Sequence, residues 1–243
     1  MNIIEFENKD QLGKEAAALI ARTIASKPDA VLGLATGGTP IDTYKELIQL
    51  HQAKEKELSF KQTRTVNLDE YAGLHPDHKN SYMTYMKRHL FDHIDLPQDQ
   101  YFLPNGAASN LEEECLRYDQ LIQNVGGIDL QLLGIGQNGH IGFNEPGTSF
   151  DSKTHVVQLD ENTRQANARY FSSIDEVPTH AITMGIASIL SSKKILLLAS
   201  GKSKAKVIQY LEQTEIHPDF PASALKLHQD VTIFIDREAG SLR

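Results

Sequence analysis

Short apolar runs alternate with segments of helical periodicity along this chain of 243 residues, and this alternation limits the possible folds more than any other feature. The run AVLGLA at 30–35 is short and continuously apolar, which is typical of a strand that helices cover on both faces. Strands that alternate with helices form mostly parallel sheets. We therefore predict a Rossmann-like α/β fold with helices on both faces of the sheet. We also predict one domain over residues 1–243, since no repeat or linker interrupts the pattern.

The same reasoning predicts the individual elements. Further strands are predicted at 64–69, 128–136, 154–159, 194–200 and 231–236. Helices are predicted from Pro40 onward and at 81–94, 110–123, 177–190 and 202–212, whereas the stretch 160–176 is polar and less regular. Ligands of such sheets bind beyond the carboxyl ends of the strands, so polar clusters that follow strands are the first candidates for a site.

Charge and cysteine content exclude several classes of function. The chain carries 24 Lys and Arg against 32 Asp and Glu, a net charge of −8, so we expect neither nucleic acid nor an anionic membrane as a partner. Its apolar runs are too short to span a bilayer, and the N-terminal residues do not resemble a signal peptide. The single cysteine, Cys115, is interpreted as a core residue and suits a reducing compartment, so we expect a cytoplasmic location.

The first polar cluster is the loop ATGGTP at 35–40, between a predicted strand and a predicted helix. Glycine allows a tight turn and a close approach to a ligand, and the N–H groups at a helix start bind phosphate. These features favour phosphate binding over an ordinary turn. The spacing matches neither a P-loop nor a dinucleotide fingerprint, so ATP and NAD are not implied and no cofactor is expected.

The second cluster is NLDEYAG at 67–73, where Asp69 and Glu70 follow one another at a strand end. Adjacent side chains point in different directions, so one carboxylate is free to face a ligand while the other packs or caps a helix. A carboxylate in this place is a candidate general base. A helix cap or a surface pair remains an equal alternative from these residues alone.

The third cluster, GIGQNGHIGFNEPG at 134–147, is the densest polar group in the chain. A carboxylate–imidazole pair between His140 and Glu145 would fix the tautomer of the ring and make it a proton carrier near neutral pH. The alternative is a structural histidine in a glycine-rich turn. No metal site is expected, because cysteine is almost absent and the histidines lack ligand spacing beside carboxylates.

The remaining candidates are cations: Arg169 in the irregular stretch, and Lys202 and Lys204 at the start of a predicted helix. The helix dipole disfavours lysine at this end, so these residues either bind an anion or are simply solvated. Together, the clusters indicate proton-transfer chemistry on a small phosphorylated metabolite.

Six stretches carry a resemblance to a known family. They are LGLATGGTP (32–40), NLDEYAGL (67–74), SYMTYMKRHLFDHID (81–95), LLGIGQNGHIGFNEPG (132–147), TRQANARYF (163–171) and PASALKLH (221–228). In these stretches the chain closely resembles the glucosamine-6-phosphate deaminases, which share a fold with 6-phosphogluconolactonases. DEY together with the segment after His140 is specific to the deaminase branch.

The resemblance implies conversion of glucosamine 6-phosphate and water to fructose 6-phosphate and ammonia, in amino-sugar breakdown and without a cofactor or metal. It implies that Asp69 is the general base for the C2 proton, that His140 is the acid and base of ring opening, and that Glu145 orients His140. Asn138 stands where some members carry Asp in the same relay. Because an amide cannot hold the charge that stabilises an imidazolium, Glu145 is left as the carboxylate partner of His140.

The resemblance also implies a phosphate site and a lid. The phosphate ligands it indicates are Thr36, Gly37, Gly38, Thr39, Arg169 and Lys204. The irregular stretch at 160–176 corresponds to a lid over the sugar, which would exclude water during the reaction.

Regulation and two alternative functions complete the expectations. Hexameric members of the family that N-acetylglucosamine 6-phosphate activates have a C-terminal extension and basic residues after the histidine loop, where this chain has His155 and Val157. We therefore expect a constitutively active monomer or small homo-oligomer. A 6-phosphogluconolactonase is the alternative enzyme. A sugar-phosphate sensor is the alternative outside enzymes, although no accompanying helix-turn-helix segment is expected here.

Overall fold

A seven-stranded parallel sheet forms the centre of the fold, in the strand order β1-β10-β9-β6-β2-β3-β5. The computed structural model describes residues 1–53, 58–160, 164–165, 168 and 171–243. The strands are β1 Asn2–Phe6, β2 Val31–Leu34, β3 Arg64–Asn67, β4 Asp69–Tyr71, β5 Tyr101–Phe102, β6 Leu130–Gly134, β7 His155–Gln158, β8 His180–Thr183, β9 Ile195–Ala199 and β10 Val231–Asp236. The first and last strands of the chain, β1 and β10, pair in the same sheet.

Helices cover both faces of this sheet. The α-helices are α1 Lys9–Ser26, α2 Ile41–Gln52, α3 Tyr82–His89, α4 Leu111–Asn124, α5 Ile186–Leu190 and α6 Ala205–Gln213. Successive residues of a strand point to opposite faces, so Val31 joins one buried apolar cluster and Leu32 joins the other. Tyr118 of α4 packs in the cluster with Val31, and Tyr44 of α2 packs in the cluster with Leu32. The predicted α/β architecture is therefore confirmed.

A second, antiparallel sheet of β4, β8 and β7 stands beside the main one. The prediction of one strand over 64–69 is wrong, because the chain leaves the parallel sheet at Leu68. The Leu68 N–H donates to the Leu34 carbonyl of β2, and the Leu68 carbonyl accepts from the Met184 N–H, which follows β8. Leu68 thus joins the two sheets, and Asp69 belongs to the second one.

The prediction of a helix over 177–190 is also wrong. Residues His180–Thr183 form β8, and only Ile186–Leu190 are α-helical. The β-branched Ile182 and Thr183 suit a strand that pairs on both sides, and burial in the second sheet outweighs the helical spacing of the apolar residues.

Smaller differences concern element ends and missed elements. The helix predicted at 81–94 ends at His89, after which Phe91–His93 form a 3₁₀ turn. Lys202–Lys204 are likewise 3₁₀ rather than α-helical. The sequence reading assigned neither β1 nor α1 nor the two-residue strand β5. Within the described ranges, no helix is long and apolar enough to cross a membrane.

Gly185, which follows β8, provides a test of the close packing against the segment that precedes β7. A Cβ atom at Gly185 would lie 2.2 Å from the carbonyl oxygens of Ser152 and Lys153, and rigid backbone on both sides leaves little room to adjust. We expect Gly185→Ala to lower the free energy of unfolding by at least ~1 kcal/mol, measured by urea denaturation. Gly134→Ala is the control, because a Cβ there meets no atom within 4 Å. Equal unfolding midpoints for the two variants would contradict this account.

Candidate active site

The predicted polar clusters meet in one cleft of about 640 Å³ at the carboxyl ends of the central strands. Three of its walls come from the loops that follow β2, β3 and β6, and the start of α6 closes a fourth side. The lining residues are Ala35, Thr36, Gly37, Gly38, Thr39, Leu68, Asp69, Tyr82, Gly134, Ile135, Gly136, Gln137, Asn138, His140, Gly142, Phe143, Asp160 and Lys204.

The glycine loop between β2 and α2 presents backbone to this cleft. Gly37 has a φ of 97°, which residues with a side chain rarely adopt, and a Cβ at Gly38 would meet no atom within 4 Å. The Tyr85 hydroxyl donates to the Gly37 carbonyl at 2.6 Å, which fixes the loop from the side of α3. The loop leads directly into α2, so its open backbone and the positive end of the helix face the same space.

Lys204 lies across the cleft from this loop and supplies a positive charge. Its Nζ donates to the Ile135 carbonyl at 2.7 Å, and burial lowers the pKa of the ammonium group. Lys202, two residues earlier, is exposed and is not part of the cleft wall. The sequence did not decide whether Lys202 and Lys204 bind an anion or are solvated. Of these two lysines, only Lys204 lines the cleft.

Asp69 and Glu70 point in different directions, one into the cleft and one into the protein. Glu70 accepts hydrogen bonds from the backbone N–H groups of Tyr71, Tyr82 and Met83 at 2.9 to 3.0 Å, and so caps the start of α3. Asp69 is only 6% exposed and lines the cleft. In the part of the chain that the structure describes, its carboxylate has no hydrogen-bond or ion-pair partner. Asp69 is therefore the member of the pair whose carboxylate faces the cleft.

The electrostatics of Asp69 suit a base. Burial raises its pKa to about 8, and the neighbouring charge of Glu70 adds to the effect. Burial also raises the pKa of Glu70 to about 7, although its three N–H donors act in the opposite direction. A carboxylate with a pKa near the working pH accepts protons more strongly than an ordinary one.

The loop after β6 holds His140 against Glu145. Nδ1 of His140 lies 3.4 Å from Oε1 of Glu145, a separation that allows an ion pair once the ring is protonated. The amide of Asn138 donates to Oε2 of Glu145 at 2.6 Å, and its carbonyl oxygen accepts from the His140 N–H at 3.2 Å. Asn138 thus fixes the carboxylate that faces the imidazole. The predicted His140–Glu145 pair is present.

Tight turns keep this loop in place. A Cβ at Gly136 would lie within 2.5 Å of three atoms of the His140 ring, so the ring lies directly over a glycine. The Gly136 N–H donates to the His140 carbonyl at 2.9 Å. Thr183 of β8 accepts the Phe143 N–H at 3.1 Å, which connects the loop to the strand that pairs with Asp69. The second sheet therefore links the base to the histidine.

Sequence reasoning missed several lining residues. Tyr82, Phe143 and Asp160 face the cleft, and Tyr82 and Phe143 also stack at a centroid distance of 6.2 Å. Aromatic residues at helical spacing are indistinguishable from core residues in a sequence, so no local signal marked Tyr82. Its position at the start of the helix predicted at 81–94 was the only available indication.

Arg169 and most of the predicted lid cannot be placed in this site. Arg169 lies outside the described residues, as do 161–163, 166–167 and 170. Of the remaining lid residues, Asp160 faces the cleft and Arg164 donates to the carbonyls of Ile174 and Val177 at 3.0 and 3.3 Å. The lid and the role of Arg169 stay predictions.

The fold and the site define a class of sugar-phosphate enzymes. A family model described as glucosamine-6-phosphate isomerases/6-phosphogluconolactonase matches residues 6–234. The chain therefore belongs to the family of glucosamine-6-phosphate isomerases and 6-phosphogluconolactonases.

Within this family, the similar curated relatives are glucosamine-6-phosphate deaminases. The enzyme of that name from Bacillus pumilus is 90% identical over 100% of both chains. Glucosamine-6-phosphate deaminase 1 of Bacillus subtilis is 61% identical, again over 100% of both chains. The resemblance inferred from the motifs is therefore confirmed.

Solved structures agree with this assignment at two levels. A structure described as a monomeric glucosamine-6-phosphate deaminase superposes with a TM-score of 0.97 at 61% identity, over 100% of both chains. A 6-phosphogluconolactonase from Trypanosoma brucei superposes with a TM-score of 0.75 at 19% identity, over 99% of this chain and 97% of that one. The second likeness concerns the fold alone.

The buried carboxylate of Asp69 predicts a pH-dependent cost to stability. Its pKa is about 8 in the folded chain and near ~3.9 when unfolded, so folding binds a proton between these values and stability falls as pH rises through this window. We expect the free energy of unfolding of Asp69→Asn, relative to that of the natural chain, to be higher at pH 8.5 than at pH 5 by more than ~1 kcal/mol. Urea denaturation at both pH values measures this. A difference that is the same at both pH values would contradict the burial of a titrating carboxylate.

Proposed function

We propose that this chain is an isomerising deaminase that converts glucosamine 6-phosphate and water to fructose 6-phosphate and ammonia, in amino-sugar breakdown. The observation that carries the proposal is the buried carboxylate of Asp69, which has no partner among the described residues and shares one cleft with the His140–Glu145 pair and the glycine loop. Proton transfer at carbon needs such a base, whereas hydrolysis of a lactone does not. Curated relatives at 61% identity and above carry this activity in their names.

Ring opening is assigned to His140. The imidazole takes the proton of the C1 hydroxyl and returns it to the ring oxygen, so the C1–O5 bond breaks and an aldehyde forms at C1. Glu145 lies beside Nδ1 and stabilises the imidazolium that forms during the transfer. Asn138 holds that carboxylate in place through its amide.

Isomerisation is assigned to Asp69. Its carboxylate removes the C2 proton, which the adjacent aldehyde acidifies, while the C2 ammonium gives a proton to the aldehyde oxygen. The resulting enolamine then receives the C2 proton back at C1. The nitrogen at C2 is then an iminium, which water attacks to release ammonia and leave the ketone of fructose 6-phosphate. The raised pKa of Asp69 makes it a stronger base for this step.

The phosphate group of the substrate is assigned to the glycine loop and Lys204. The phosphate lies at the glycine loop, with Thr36, Gly37, Gly38 and Thr39 on one side and Lys204 on the other. Arg169 is proposed as a further ligand from the predicted lid at 160–176. The phosphorylated substrate is confined to the cell interior, which agrees with a cytoplasmic enzyme that carries one buried free cysteine.

We also propose that the enzyme acts as a monomer or small homo-oligomer, without activation by an acetylated sugar phosphate. A relative of the same fold at 61% identity is described as monomeric. We likewise propose that residues 1–243 form one domain.

The decisive experiment measures ammonia and fructose 6-phosphate released from glucosamine 6-phosphate, with and without N-acetylglucosamine 6-phosphate. We expect stoichiometric release that the acetylated sugar does not change. Asp69→Asn should lower kcat by a factor of ~10² or more, because the general base is lost. Asp77→Asn is the matched control, since Asp77 is 77% exposed. Hydrolysis of 6-phosphogluconolactone that survives Asp69→Asn, without any release of ammonia from the amino sugar, would favour a lactonase instead.

The two lysines near the start of α6 test the phosphate site. We expect Lys204→Met to raise KM by ~10-fold or more and Lys202→Met to leave it unchanged, because only Lys204 lines the cleft. Initial rates over a range of glucosamine 6-phosphate concentrations measure both effects. Equal KM values for the two variants would remove Lys204 from the phosphate site.

A further inference from the structure

A turn at residues 217–223, none of which lines the cleft, contacts the histidine loop. The Ala222 N–H donates to the Gly139 carbonyl at 2.9 Å, and the Gly147 N–H donates to the Pro218 carbonyl at 3.0 Å. These two hydrogen bonds fix the chain just before His140 and just after Glu145. The turn, which we call the support turn, therefore holds both ends of the segment that carries the imidazole–carboxylate pair.

Phe220 is the central contact of the support turn. A Cβ at Gly139 would lie 2.2 Å from the Phe220 ring, so the ring packs directly on the glycine backbone next to His140. Gly139 also has a φ of 88°, a conformation that residues with a side chain rarely adopt. Phe220 is 4% exposed and receives the edge of Tyr210 at a centroid distance of 4.8 Å. The ring is thus fixed on its outer side as well.

Ser223 locks the shape of the support turn. Its hydroxyl accepts from the His217 N–H and donates to the His217 carbonyl, both at 3.0 Å. The Phe220 N–H donates to the same carbonyl at 3.1 Å, and the Ser223 N–H donates to the Phe220 carbonyl at 2.8 Å. The Ser223 side chain is fully buried and does not line the cleft. These bonds stabilise the turn without any contact with a substrate in the cleft.

We propose that the support turn is a positioning element for ring opening, with Phe220 as its main positioning residue and Ser223 as its lock. This inference rests on the proposed function, because it assigns the turn to the His140 step. The contact between Nδ1 of His140 and Oε1 of Glu145 is already 3.4 Å long, so a small displacement of the loop separates the pair. A displacement of about 1 Å at a reacting group lowers a rate by ~10²-fold.

Phe220→Leu tests the proposal, because it keeps an apolar side chain but removes the ring that packs on Gly139. We expect kcat for glucosamine 6-phosphate to fall ~10-fold or more, with a loss of stability no larger than that of another buried Phe→Leu change. The alditol obtained by reducing C1 of glucosamine 6-phosphate has no ring to open, so its inhibition constant should stay within about twofold of that of the natural chain. A lower kcat with unchanged alditol binding is the signature of misplaced ring-opening groups.

Phe234→Leu is the matched control. Phe234 is 5% exposed and packs edge-on against Phe6 in the apolar cluster on the other face of the main sheet. If Phe220 has a purely structural role, Phe220→Leu and Phe234→Leu variants that lose the same stability should also lose the same kcat. That result would overturn the proposal. A weaker affinity for the alditol in Phe220→Leu would also overturn it, because the defect would then extend to substrate binding.

Ser223→Ala keeps the proposal testable if Phe220→Leu does not fold. The hydroxyl is replaced by hydrogen, and we expect the same separation of kcat from alditol binding with a smaller loss, ~3- to 10-fold. An unchanged kcat in a folded Ser223→Ala variant would count against the lock. Failure of the natural chain to release ammonia would refute the proposed function itself. This outcome is distinct from a failure of the support-turn proposal, because only the variants test that proposal.

Discussion

The break in the chain at Leu68 is the constraint on which the site depends. Its N–H is bonded to the parallel sheet and its carbonyl is bonded to the residue that follows β8 of the second sheet, so a single residue connects the two sheets. The next residue, Asp69, is thereby buried at the edge of the cleft, where a strand that simply continued would have carried it onward in the parallel sheet. Thr183, in the strand that pairs with Asp69, accepts the Phe143 N–H and so ties the histidine loop to the same sheet.

The site is assembled at a cost to stability. Three backbone N–H groups compensate Glu70 for its burial, but Asp69 has no such partner within the described ranges. Burial therefore raises the pKa of Asp69, because the ionised carboxylate loses its contact with water and is not compensated by hydrogen-bond donors of the described residues. The two adjacent carboxylates illustrate how one sequence position serves the fold while its neighbour serves the chemistry.

The fold by itself does not specify this chemistry. A lactonase at 19% identity shares it with a TM-score of 0.75, so the sheets and their covering helices support more than one reaction. The differences between the reactions must lie in the groups placed around the cleft. Here these are a buried carboxylate on the second sheet and a histidine loop that is held by Thr183 of β8 and by the support turn.

Hydrophobic periodicity and local turn chemistry predicted the α/β class and the strand-end position of the polar clusters, because both are properties of neighbouring residues. They also marked Asp69, His140 and Glu145 as candidates for the site. They did not predict that 64–69 splits between two sheets or that 177–190 contains a strand, since pairing with distant segments decides both. Nor did they reveal which carboxylate of the adjacent pair lacks a partner among the described residues, or that Phe220 packs against Gly139. Only the tertiary structure decided these points, because the desolvation of a carboxylate and the contact of a ring with a backbone depend on residues far apart in the chain.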